Sequence, residues 1–273
     1  MRFALSTYFF INDRLGCEHA LMLKAFGLDG AEVWGMPPHI DCREPDDWKR
    51  NVRYMLDEGV SVDAVHGPFY ETLSDAGRNR WLSISHRNEK LRLKAIDMLK
   101  RTAELMGETG VRTMVAHFGV YGDDNRQLDS ILSSMINLED FLAGTGVRIA
   151  FENVCSPLSL SSMMRNTLEQ FDFHNLGICI DTGHANLNEE PVAAVSNAGD
   201  RLLHIHASDN KGGEDEHLLP FEGVIPWDKV AEALRSVKFE GCITIETMCR
   251  GDQEEELRKV ARAREQLSLL FGQ

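Results

Sequence analysis

Long apolar runs are missing from this 273-residue sequence. No stretch approaches the ~20 consecutive apolar residues that a membrane-spanning helix needs, so no membrane partner is expected. The opening stretch, MRFALSTYFFINDR, is apolar only briefly and has no small-residue cleavage signature. It reads as a first strand, not as a secretory leader. Paired cysteine spacing is missing too: Cys17, Cys42, Cys155, Cys179, Cys242 and Cys249 show no CxxC. Free thiols in a reducing cytoplasm are expected, and a disulfide framework is not. Basic residues are in deficit, 29 Lys and Arg against 43 Asp and Glu, a net charge of −14. That field opposes a phosphate backbone, so a nucleic-acid partner is not expected. A glycine-rich phosphate loop is missing from STYFFINDRLG, where a dinucleotide-binding doubly wound sheet would carry it. Linkers rich in Pro, Gly or Ser are missing throughout.

What is present is a regular alternation. Strand-like segments occur at 2–8, 30–36, 61–69, 112–119, 148–154, 176–181, 202–208 and 242–248, and amphipathic stretches lie between them. In EKLRLKAIDMLKRTAELMGETG, Leu91, Ala95, Met98 and Leu105 repeat at helical spacing and Gly110 supplies the stop. Eight strand–helix units in about 250 residues is the count of a (β/α)8 barrel. The sequence predicts an α/β protein with a single (β/α)8 TIM barrel domain over 1–273.

In such a barrel the C-terminal strand ends and the loops after them form the active face. Polar residues crowd those positions here. Strands three, four and five end in His66, His117 and Glu152. Strand six ends in Asp181, with His184 just beyond. Strand seven delivers His206, its loop carries Asp215 and His217, and strand eight ends in Glu246. Side chains two apart on a strand share a face, which puts Ala150, Cys179, His204 and Thr244 beneath these residues. Ile149, Phe151, Ile178, Ile180, Leu203, Ile205, Ile243 and Ile245 then point to the helices. His204 reads as a core residue below the site. Five imidazoles and four carboxylates at one barrel end cannot all be buried unpaired. A divalent cation satisfies them, and a nitrogen–oxygen donor set without a thiolate cluster suits Zn, Mn, Co or Fe.

The motifs AVHGPF, VAHFG, FENV, CIDTGH, HIHASDN, DEHLLPFEGVIPW and ETM resemble, as a set, the xylose isomerase-like barrel superfamily, along nearly the whole chain. That group includes sugar 3-epimerases, other sugar isomerases and endonuclease IV. The resemblance to the epimerases implies metal ligands at Glu152, Asp181, His206 and Glu246, with the two glutamates exchanging a proton with substrate as catalytic residues. Endonuclease IV resembles the chain in the same four positions and in further ligands matching His66, His117, His184, Asp215 and His217. Zinc or manganese, as one to three ions, is the implied cofactor. Glu216 stands where the nuclease has Arg, and Ile225 and Trp227 resemble the sugar-isomerase entry to the next helix. The epimerases' substrate-contacting Arg has no counterpart in SDNKGG, where Lys211 is nearest. The resemblance therefore implies a cytoplasmic, metal-dependent isomerase or epimerase of sugars or sugar phosphates, possible as a homo-oligomer. His184, Lys211, Glu222 and Trp227 are expected against the carbohydrate. The alternative is a zinc-dependent phosphodiesterase acting at abasic sites.

Overall fold

Eight parallel strands close on themselves in sequence order in the computed structural model, which describes residues 1–272. The strands are β1 (Arg2–Ser6), β2 (Gly30–Trp34), β3 (Ser61–His66), β4 (Thr113–His117), β5 (Arg148–Glu152), β6 (Leu176–Asp181), β7 (Leu202–Ala207) and β8 (Cys242–Ile245). The helices are α1 (Cys17–Ala25), α2 (Pro45–Asp57), α3 (Leu73–Ala76), α4 (Glu89–Thr109), α5 (Leu128–Leu142), α6 (Ser161–Gln170), α7 (Thr182–Asn188), α8 (Pro191–Ala198), α9 (Trp227–Ser236) and α10 (Gln253–Leu270). The expected TIM barrel is present. No helix among the described residues is long and apolar enough to cross a membrane, and all six cysteines are free.

Local chemistry sets the helix bounds. Asn88 caps α4 by accepting the Leu91 N–H, and Gly110, at φ 81°, ends it in the left-handed region that a Cβ disfavours. Ala95, Met98 and Leu105 are buried as the spacing predicts, but Leu91, in the first turn, is exposed. Asp252 caps α10, and Glu254, Glu255 and Glu256 in its first turn complement the helix dipole. Leu257, Val260, Ala263 and Leu267 form its buried stripe.

Strand alternation builds two cores. Ile149, Phe151, Ile178, Ile180, Ile205, Ile243 and Ile245 join the layer between sheet and helices, as expected. Val115, Ala150 and Cys179 fill the barrel interior. Leu203 corrects the expectation: it packs against that interior cluster. Ile178 pairs with Leu202 but Cys179 with His204, so a bulge inserts one residue and turns Leu203 inward. Gly177 leaves the room, since a Cβ there would lie 2.5 Å from the Leu203 side chain.

Candidate metal centre

The strands deliver the polar side chains to one end, and the donor atoms meet there. Glu152, at the tip of β5, is 1% exposed and lies among four imidazoles. Its Oε2 is 3.3 Å from His66 Nε2 and 3.5 Å from His117 Nε2. Its Oε1 is 3.3 Å from His184 Nδ1 and 3.4 Å from His206 Nδ1. His206 Nδ1 is also 2.7 Å from Glu246 Oε2. Asp181 ends β6 and caps α7, its Oδ1 accepting the His184 N–H at 2.7 Å and the Ser208 hydroxyl at 3.0 Å. Asn153 fixes that corner from just past β5: its Oδ1 accepts the Asp181 N–H and its Nδ2 donates to the Asp181 carbonyl. Asp215 Oδ2 bridges His184 Nε2 at 3.1 Å and His217 Nε2 at 3.3 Å. His217 takes φ 44°, a region costly for a non-glycine residue, and its carbonyl accepts the Thr247 hydroxyl at 2.8 Å.

All nine predicted residues therefore converge, in three groups whose donor atoms lie within 4.8 Å of one another. These are His66, His117 and Glu152; Glu152, Asp181, His206 and Glu246; and His184, Asp215 and His217. Glu152 belongs to two of them. His206 Nδ1, His217 Nδ1 and Glu246 Oε2 are buried without a hydrogen-bond partner. Buried polar atoms are normally satisfied, so orphaned atoms on three residues of these groups fit a divalent cation, and the nitrogen–oxygen mixture fits zinc or manganese.

The electrostatics agree. Burial would raise the Glu152 pKa, but His206, His184 and His66 hold it well below the ordinary carboxylate value. Asp181 goes the other way, raised by burial with Glu152 and Glu246 close by. Burial would also lower the imidazoles. Asp215, Glu246 and Asp181 overrule it at His217, raised to about 9, and Asp181, Asp215 and Glu152 overrule it at His184, raised well above 6.5. His206 is likewise raised against burial. The buried Cys179 thiol stays neutral, its own pKa pushed well up by burial, so the carboxylates Glu246, Glu32 and Glu152 hold the proton on His206. His117 is the exception, lowered to about 4 by burial, with His66 and His184 adding repulsion. Protons on imidazoles thus balance the carboxylates where a cation would otherwise do so.

Two groups escaped the sequence reading. Glu32 lies inside β2, fully buried, 3.0 Å from His206 Nε2 and 2.8 Å from His204 Nε2. The signal was a lone carboxylate within the apolar run GAEVW. The other is the aromatic rim: Tyr8 stacks on Trp34 at 4.8 Å, and Phe69 stacks on His117 at 4.4 Å. The Tyr8 phenol is raised to about 12 by burial and the charges of Glu246 and Asp215, so it stays a donor.

A cavity of about 570 Å³ opens beside the centre, bounded by Phe69, Trp81, Tyr121, Val154 and Leu187 and reaching His117, His184 and Asp215. Of the expected carbohydrate contacts only His184 faces it. Trp227 is buried in the core, its indole N–H donated to Asp209 Oδ2 at 2.9 Å. Asp209 also accepts the N–H groups of Phe221 and Ile225, which folds this loop onto itself. Glu222 is exposed on that loop, and Lys211 is exposed with its N–H on Glu216. Neither lines the cavity. His204, between Glu32 and Thr244 Oγ1 at 2.9 Å, is the buried core residue expected. His204→Ala should cost about 1–3 kcal/mol in chemical denaturation, through a cavity and unpaired neighbours. A cost indistinguishable from zero would contradict its placement.

A model of the xylose isomerase-like TIM barrel family matches residues 21–267. The chain belongs to this family. An uncharacterized protein of Methanocaldococcus jannaschii is 28% identical over 216 residues, 72% of this chain and 69% of the relative. Fructoselysine 3-epimerase of Escherichia coli O157:H7 is 23% identical over 248 residues, 86% of each chain. A crystal structure of a D-tagatose 3-epimerase-like protein superposes with a TM-score of 0.78 at 23% identity, covering 98% of this chain and 99% of that one. At that identity the structural likeness speaks for the fold.

Proposed function

We propose that this protein is a divalent-metal-dependent sugar isomerase or epimerase. The observation that carries the reading is the meeting of Glu152, Asp181, His206 and Glu246 donor atoms within 4.8 Å at the barrel mouth, beside a cavity that can admit a sugar. A bound ion would polarise a substrate carbonyl and offset the charge that develops when the neighbouring carbon loses its proton. Glu152 and Glu246 would remove and return that proton, one from each side. Tyr8, its ring 5.7 Å from that of His217, stays protonated and so offers a donor beside the centre. The cavity wall is apolar and acidic, with Glu214 and Asp215 but no Lys or Arg among its described lining residues. A phosphate would meet two carboxylates there and no Lys or Arg to pair with, which favours an unphosphorylated sugar.

A second reading rests on the three-group arrangement of all nine donors, the pattern that resembles endonuclease IV. Charge weighs against it. Arg43 is tied to Asp41 and Glu71, Arg126 to Asp124, and Lys211 lies 4.0 Å from Glu216, so these cations on the mouth loops are already paired. One experiment separates the two. In deuterated water, metal-loaded protein should wash deuterium into the carbon beside the carbonyl of at least one ketose in a tetrose-to-hexose panel, and Glu246→Gln should abolish this. Cleavage of abasic-site DNA, lost on Glu152→Gln and on chelation, with no exchange across the panel, would replace this proposal by the nuclease.

A further inference from the structure

Glu32 stands at the middle of β2, and β8 and β1 lie between it and β7 in the closed sheet. Its carboxylate crosses the barrel interior to reach both inward histidines of β7. His206 Nε2 lies 3.0 and 3.1 Å from its two oxygens, and His204 Nε2 lies 2.8 Å from Oε2. All three side chains are at most 1% exposed. The two ring nitrogens of His206 are used unequally. Nε2 is satisfied by Glu32, whereas Nδ1 has no hydrogen-bond partner and sits against Glu246 and Glu152.

A neutral imidazole carries one N–H, and a carboxylate accepting at one nitrogen fixes that proton there and leaves the other nitrogen's lone pair free. We propose that Glu32 is the positioning residue of the metal centre: it holds the proton of His206 on Nε2 and thereby makes Nδ1 the metal-ligating atom. A metal-bound histidine backed in this way is oriented and made more basic. His204 steadies Glu32 from below and is itself 2.9 Å from Thr244 Oγ1. The same three residues could be imagined to hold an ion of their own. Their facing nitrogens already have partners, however, and the orphaned nitrogen of His206 is Nδ1, on the side of Glu152 and Glu246.

The inference rests on the metal-centre reading above, and its test keeps the two apart. Zn²⁺ is titrated into metal-stripped wild type and Glu32→Gln against a chromophoric chelator. The histidine ¹⁵N–¹H spectrum of zinc-loaded wild type then identifies the atom that carries metal on His206. The expected results are affinity about 10- to 100-fold weaker in Glu32→Gln, and a wild-type His206 with its proton on Nε2 and zinc on Nδ1. The spectrum decides even if the variant folds poorly. Zinc on Nε2, or affinities within twofold, would overturn the role of Glu32 and leave the centre standing. Loss of one whole ion with the remaining sites unaltered would show that Glu32 is a ligand and overturn it equally. A wild type that binds no zinc would overturn both.

Discussion

Glu152→Gln is expected to weaken zinc binding at the centre by about 100-fold or more, while the barrel still folds. The Glu152 oxygens are the shared counter-charge of His66, His184 and His206, each 3.3 to 3.4 Å away, and lie 3.5 Å from the neutral His117. Glutamine keeps the volume and leaves no cavity, so the packing of β5 is spared, but the charge is gone. Breaking a buried ion pair from one side costs about 3–5 kcal/mol. Here the loss falls on the metal, because a neutral amide oxygen is a poorer ligand than a carboxylate. Metal analysis of the purified variant, followed by chelator competition, measures it. Wild-type occupancy and affinity in Glu152→Gln would remove this residue from the ligand set.

Metal affinity should rise steeply with pH between about 6 and 9. His217 is raised to about 9, and His184 and His206 are raised as well, so in the metal-free protein these imidazoles bind protons more tightly than in the unfolded chain. The sign follows. Their contribution to the stability of the metal-free protein is fully present below about 6.5, the ordinary histidine value, and is lost as pH climbs through the folded values. A cation needs the same lone pairs free, so it competes with protons, and each proton displaced makes affinity about tenfold stronger per pH unit. Rising pH thus weakens the metal-free fold and strengthens metal binding together. Calorimetry in buffers of different ionisation enthalpy should show protons released on zinc binding at pH 7, and the gain in Tm from zinc should be larger at pH 8.5 than at pH 6. No proton release, or a gain that shrinks as pH rises, would contradict the protonation states described here.

The barrel was legible in the sequence because strand ends announce themselves. Apolar alternation breaks at His66, His117, Glu152, Asp181 and Glu246, and each break falls at the mouth. Parity placed His204 beneath His206 and sent Ile149 and Ile243 outward without any knowledge of partners. The failures have different causes. Glu32 is in the middle of a strand, and its partners are on β7 across the interior, a relation no local period encodes. Leu203 turned inward because of a bulge, and a one-residue insertion leaves no mark on the sequence of a six-residue strand. Trp227 resembled a site residue by motif, but Asp209 claims its indole N–H and pulls the loop into the core. What a loop does with its hydrogen bonds is decided by the assembled structure, and spacing alone does not carry it.

The most direct test of the account is anomalous diffraction from crystals of wild-type protein saturated with zinc, collected on both sides of the zinc absorption edge. The account predicts a peak between Glu152, Asp181, His206 and Glu246, with any further peaks at the His66–His117–Glu152 and His184–Asp215–His217 groups. No peak among the four residues, or zinc bound only elsewhere on the surface, would contradict it.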